Sequence, residues 1–99
     1  MKLLCLDIPQ TGSSMEKYQP YLLDELRQAW QLYKSGFVRE IYLRQDRPGV
    51  VIIAECDSVE AARQVVREFP LVKAGLIDWE IIPIGSMVTW EMLFAPENV

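Results

Sequence analysis

The chain has 99 residues, 51% of them hydrophobic, and its 10 basic and 14 acidic side chains leave a net charge of -4. That is enough for one core-forming domain and too little for two. With no histidine, only Cys5 and Cys56, and no run of Lys or Arg, the sequence lacks the parts for a structural zinc site, a His-based dyad or triad, a disulfide framework or a phosphate-binding surface.

The apolar runs Val50 to Ala54 and Ile81 to Ile84 fall far short of the roughly 20 residues that cross a bilayer. At the N-terminus, Asp7 and Pro9 interrupt the leucines before a signal-peptide core develops. The expectation is a cytoplasmic protein that binds neither membrane nor nucleic acid. Both thiols sit in apolar, strand-like runs and are expected to be reduced, buried and inert. No metal and no cofactor are expected.

Lys2 to Ile8 is a short apolar run stopped by Pro9 and Thr11-Gly12, which predicts a first strand. Ser13 with Glu16 three residues on forms a possible capping box, and Pro20 suits a first helical turn or a restart after one. Leu22, Leu26, Ala29, Trp30, Tyr33 and Phe37 then recur at steps of three and four, opposite a polar side holding Asp24, Glu25, Gln28, Gln31 and Lys34. The helix ends at Ser35-Gly36, with Gly36 available for a left-handed cap.

From Phe37 to Arg44 the pattern becomes alternating. The turn-rich segment 45–49 and the β-branched run from Val50 complete a β-hairpin. Centring the turn on Arg47 sets Arg39 opposite Glu55, an ion pair that favours this register. Asp57 or Ser58 caps a second helix with Val59, Ala62, Val66 and Phe69 on one side, stopped by Pro70. Ile77 to Ile84 is the fourth strand. The order β-α-β-β-α-β is that of the α+β ferredoxin-like fold, one sheet with both helices on one face. Residues 1–99 thus form a single domain with 85–99 as a C-terminal arm.

Alternation places Leu4, Leu6, Ile41, Leu43, Val51, Ile53, Ile77, Trp79 and Ile81 under the helices. The opposite face then carries Cys5, Asp7, Glu40, Tyr42, Arg44, Val50, Ile52, Ala54, Asp78, Glu80 and Ile82. An apolar patch of Tyr42, Val50 and Ile52 left in water marks an interface. Two such faces packed together make a sheet-to-sheet dimeric α+β barrel, so the expected partner is a second copy of the chain, as a dimer or larger oligomer.

Three segments, Ser35-Gly36-Phe37-Val38-Arg39-Glu40-Ile41-Tyr42, Phe69-Pro70-Leu71-Val72 and Ile77-Asp78-Trp79-Glu80-Ile81, resemble the muconolactone isomerase family in order and spacing, over about residues 2 to 84. The resemblance implies ferredoxin-like protomers paired through their sheets, often assembled further, with a small pocket beside the sheet. The founding activity moves a double bond in a small lactone carboxylate by proton transfer.

On the predicted open face, Glu40 and Glu80 are the candidate base and acid, because partial desolvation moves a carboxyl toward neutrality, where proton shuttling works best. Tyr42 is the candidate that orients a substrate oxygen. Arg44, the only cation on that face, is the candidate anchor for a substrate carboxylate, with Asp78 as a further binding residue. Each has a plainer role as well: rim ion pairs for the glutamates, cross-strand packing for Tyr42, a hairpin-end salt bridge for Arg44, a turn cap for Asp78. Trp30, Tyr33 and Trp79 fall on stripes with core spacing. The expected function is an isomerase-like or lyase-like protein that transfers protons through carboxylates on a small organic acid or lactone. The alternatives are a non-enzymatic ligand-binding or assembly module on the same barrel, and a cofactor-free oxygenase-like barrel. Met87, Val88, Trp90, Met92, Leu93 and Phe94 are too apolar for a free tail, which predicts a helix-like arm ended by Pro96 and docked on its own or a neighbouring protomer.

Overall fold

Strands β1 (Lys2–Pro9), β2 (Val38–Leu43), β3 (Val50–Glu55) and β4 (Ile77–Ile84) form one antiparallel sheet in the order β2-β3-β1-β4. This is the ferredoxin-like arrangement that the element order predicts. The computed structural model describes residues 1–95, so Pro96 and the last residues of the expected arm lie outside the described residues. No helix among the described residues is long and apolar enough to cross a membrane.

The first helical region is broken in two. α1 (Met15–Tyr18) is capped by Ser14, whose hydroxyl accepts the Lys17 N–H, one residue later than the predicted Ser13 cap. Ser13 instead donates to the Leu76 carbonyl across the fold. A 3-10 turn containing Pro20 follows, and α2 (Leu22–Ser35) ends at Gly36 with φ 92°, the left-handed cap that glycine adopts without a Cβ penalty. α3 (Val59–Val66) starts at Ser58, whose hydroxyl accepts the Ala61 N–H. Pro70 does not simply stop a helix: it opens a further turn, α4 (Pro70–Lys73), where a missing N–H costs nothing.

The faces of two strands are the reverse of the prediction. The core under the helices holds Leu3, Cys5, Ile52 and Ala54 together with Val38, Ile77, Trp79 and Ile81. β2 and β4 thus present the predicted sides, whereas β1 and β3 are turned over. Cys5, Asp7, Val50, Ile52 and Ala54 belong to the helix side, and Leu4, Leu6, Val51 and Ile53 to the open side. The hairpin register explains β3. Leu43 pairs with Val50, Tyr42 with Val51 and Ile41 with Ile52, one residue off the predicted pairing, and such a slip exchanges the two sides of a strand. A bulge between Val38 and Glu40 takes Arg39 out of the ladder, and Glu55 binds the terminal amine of Met1 at 3.2 Å instead of Arg39.

α2 is also rotated. Leu22, Ala29 and Leu32 pack on the core, while Leu26, Trp30 and Tyr33 are 66%, 57% and 51% exposed. The core role expected of Trp30 and Tyr33 is therefore not the one observed; their rings stack on each other at 5.7 Å outside the core. Trp79 does occupy the core, against Phe69 at 5.7 Å. Burial pushes the Cys5 thiol up to about 11, which keeps it protonated and unreactive, and both cysteines are free thiols. After β4, Val88–Leu93 forms a 3-10 segment with none of its residues buried.

Candidate active site

A cavity of about 240 Å³ lies between α2 and the sheet. Its floor comes from β1, β3 and β4 (Asp7, Val50, Ile77, Trp79), its roof from α1, α2 and α4 (Tyr18, Glu25, Leu71), and its end from the hairpin (Leu43, Pro48, Gly49). The wall is almost entirely apolar. An apolar cavity of ~150 Å³ already admits benzene, so this one has room for a substituted single ring. Two wider depressions, one beside Met1 and Gly36 and one beside Tyr21 and Lys73, are shallow and open.

Two carboxylates border the cavity. Asp7 is only 5% exposed, and Arg47 in the hairpin turn offsets its charge. Arg47 Nη1 is 3.3 Å from both carboxylate oxygens, but the geometry makes a hydrogen bond only to Oδ2; Oδ1 is in ionic contact and has no hydrogen-bond partner among the described residues. Arg47 Nη2 also donates to the Asp7 carbonyl at 2.8 Å and Nη1 to the Pro48 carbonyl at 3.0 Å, which ties the turn to β1. Opposite Asp7 on β4 stands Trp79, whose indole N–H is buried without an acceptor among the described residues.

Glu25 reaches the cavity from the roof. One of its oxygens accepts the Leu71 N–H at 3.0 Å. Burial raises its carboxyl above the ordinary range, while the Leu71 N–H acts in the opposite direction. Its proton is thus held more tightly than that of a carboxyl in water. Sequence periodicity assigns Glu25 to the solvated side of the helix and Asp7 to the open face; only the rotation of α2 and the turned-over β1 bring both to one cavity.

The residues predicted from sequence stand elsewhere. Glu40 and Tyr42 lie together on the open face, with the Tyr42 hydroxyl donating to Glu40 Oε1 at 2.5 Å. That hydrogen bond, and then the charge of Glu40, raise the Tyr42 phenol above its ordinary value. Glu80 is on the same face but separated from Tyr42 by β3 and β1, roughly 14 Å away at the usual strand spacing. A single chain does not bring the three together. Arg44 makes two hydrogen bonds to Asp46, Nε to Oδ1 at 2.9 Å and Nη2 to Oδ2 at 2.6 Å. This bonding, first of all, lowers Asp46 to about 2 and raises Arg44. Asp78 accepts the Trp79 N–H at 2.8 Å. Among the described residues, no group of three or more potential metal-binding side chains occurs.

No protein-family model matches the chain, and no curated protein matches it in sequence. Solved structures do share its fold. A 5-chloro-2-hydroxyhydroquinone dehydrochlorinase from Burkholderia phenoliruptrix AC1100, in complex with 2,5-dihydroxybenzoquinone, superposes with a TM-score of 0.71 over 86% of this chain and 94% of that one, at 18% identity. Muconolactone isomerase superposes with a TM-score of 0.69 over 87% of this chain and 90% of that one, also at 18% identity. The chain therefore has the fold of these small-molecule enzymes.

Proposed function

We propose that this protein is an isomerase-type or lyase-type catalyst of proton transfer on a small, largely apolar ring compound, working in the cavity between α2 and the sheet. One observation carries the reading: a dry-walled cavity of single-ring size has a carboxyl at its roof, Glu25, whose proton affinity burial has raised. Glu25, ionised, takes a proton from carbon beside a carbonyl. Returning it elsewhere on the conjugated system completes an isomerisation; losing a leaving group with its bonding electrons completes an elimination. Asp7 and Arg47 close the polar end of the site. The names of the two structural neighbours, enzymes of a lactone and of a chlorinated hydroxyhydroquinone, support the class of chemistry.

The open face is assigned to assembly. Leu4, Leu6, Val51, Ile53 and Ile82 run across it, framed by Glu40, Tyr42 and Glu80, and two copies packed face to face remove this patch from water. Such a dimer also offers the one way of bringing Glu40 and Tyr42 of one chain toward Glu80 of another, so the open-face set remains the second reading of the catalytic residues. A cytoplasmic setting keeps the free thiols Cys5 and Cys56 reduced.

The test is a panel of lactones, hydroxyquinones and cyclic enones, screened by thermal shift and then by solvent-deuterium incorporation at carbon. Binding with incorporation that Glu25→Gln abolishes is the expected result. Binding without incorporation for any compound would favour the ligand-binding module instead.

A further inference from the structure

Tyr18 is the last residue of α1, and the local sequence sets its place. Ser14 caps the short helix, the Tyr18 N–H closes its turn on the Ser14 carbonyl at 3.0 Å, and the 3-10 turn holding Pro20 redirects the chain into α2. The ring packs in the core, with 7% of the residue exposed, and borders the cavity.

A buried tyrosine ordinarily finds a hydrogen-bond partner for its hydroxyl. Among the described residues, Tyr18 has none. The polar side-chain atoms that are both unpartnered and sealed from solvent are Asp7 Oδ1 and Trp79 Nε1, which a ligand reaches only if the wall shifts. The Tyr18 hydroxyl is unpartnered without being sealed, so it is the donor that the cavity offers to a bound molecule. Charge narrows that molecule further. Asp7 and Glu25 line the wall and no lysine or arginine does, while Arg47 is committed to Asp7. A ring carrying a carboxylate meets two acids there and no free cation.

We infer that Tyr18 is the hydrogen-bond donor of the site: its hydroxyl binds the carbonyl oxygen of an uncharged ring compound, with the carbon beside that carbonyl toward Glu25. This inference rests on the cavity being the site and Glu25 its base. When Glu25 takes the proton, the C–H electron pair forms the carbon–carbon double bond of an enolate, and the carbonyl π pair moves onto oxygen. The Tyr18 O–H stabilises the charge that grows on that oxygen and keeps its own proton. Protonated Glu25 then returns the proton to the far end of the conjugated system, and no oxidant, reductant or co-reactant is consumed.

The experiment uses Tyr18→Phe, which keeps the ring and removes only the unpaired hydroxyl. The probe is cyclohexenone, isotopically labelled at the carbonyl and followed by its infrared stretching band, with cyclohexene carboxylate as the charged control. Without probe, the melting temperature of Tyr18→Phe is expected to match that of the parent. The bound enone's band should lie at lower frequency in the parent than in Tyr18→Phe, because a hydrogen bond weakens the C=O bond. Affinity for the enone should fall about threefold to tenfold in the variant, and the carboxylate should bind the parent more weakly than the enone does. The same band frequency in both proteins, no detectable binding of the enone, or a carboxylate that binds as tightly overturns the inference. So does a lower melting temperature of the variant, which would mean that the hydroxyl already has a partner in the free protein. These readouts involve no turnover. A shifted band beside a Glu25→Gln protein that still incorporates deuterium rejects Glu25 as the base and keeps the Tyr18 contact; an unshifted band with incorporation lost in Glu25→Gln keeps the base and rejects Tyr18.

Discussion

Asp7 and Gly49 touch in a way that leaves no room for a side chain at the glycine. A Cβ on Gly49 would lie 2.7 Å from both carboxylate oxygens of Asp7 and 2.6 Å from Arg47 Nη1. The buried carboxylate, its counter-charge and the bare backbone of the hairpin are one packed unit. Gly49→Ala is expected to push Asp7 or Arg47 aside and to destabilise the fold by about 1–3 kcal/mol, the usual range for overpacking. Urea unfolding of the two proteins measures this; an unchanged midpoint would show that the unit yields freely.

Arg47→Met removes the salt-bridge partner of a carboxylate that is nearly inaccessible to water. Breaking a buried pair from one side costs about 3–5 kcal/mol; because Arg47 is itself one-third exposed, a loss near the lower end is expected. Asp7→Asn added to Arg47→Met should restore part of it. A double variant no more stable than the single one would place the cost in the lost backbone bonds of Arg47 rather than in the charge.

Glu25 sets a pH dependence whose sign follows from the direction of its shift. Its folded-state proton affinity is above that of the unfolded chain, so the folded state binds the proton more tightly. The contribution to stability is fully present below the unfolded carboxyl value and is lost as the pH rises through the raised folded one. Glu25→Gln, which can still accept the Leu71 N–H, is expected to flatten the fall of stability as the pH rises above the ordinary carboxyl range. Chemical denaturation at a series of pH values gives the slope directly, and an identical slope in the variant would remove Glu25 as its source.

The same substitution separates the two candidate catalytic sets. If the cavity carries the chemistry, Glu25→Gln lowers turnover by roughly 10²–10⁴. The open-face reading places that loss in Glu40→Gln and Glu80→Gln instead. Turnover of an identified substrate by the three variants decides.

Val51→Glu puts a charge in the middle of the open face, between Tyr42 and Leu6 in the ladder. Far-UV circular dichroism should stay unchanged while sedimentation shows a smaller species, because the charge is tolerated in water and not between two apolar faces. An unaltered sedimentation coefficient would exclude this face from the assembly.

Much of the architecture follows from local chemistry. Gly36 caps α2, Ser58 caps α3, the change from helical spacing to alternation marks the hairpin, and β4 spans the predicted residues with Ile77, Trp79 and Ile81 inward. What local chemistry leaves undecided is orientation, wherever an element has two apolar sides. β1 offers Leu3 and Cys5 on one side and Leu4 and Leu6 on the other. α2 offers Leu22, Ala29 and Leu32 on one stripe and Leu26, Trp30 and Tyr33 on another. Periodicity names the buried side only when the other is polar, and here both are apolar. Tertiary packing made the choice, through a hairpin register shifted by one residue and a helix rotated onto its narrower stripe. The same choice brought Arg47 to Asp7 and Glu25 to Leu71 across long stretches of chain. No spacing rule links such distant positions, because their meeting depends on which sides of the strands and the helix the assembled core accepts.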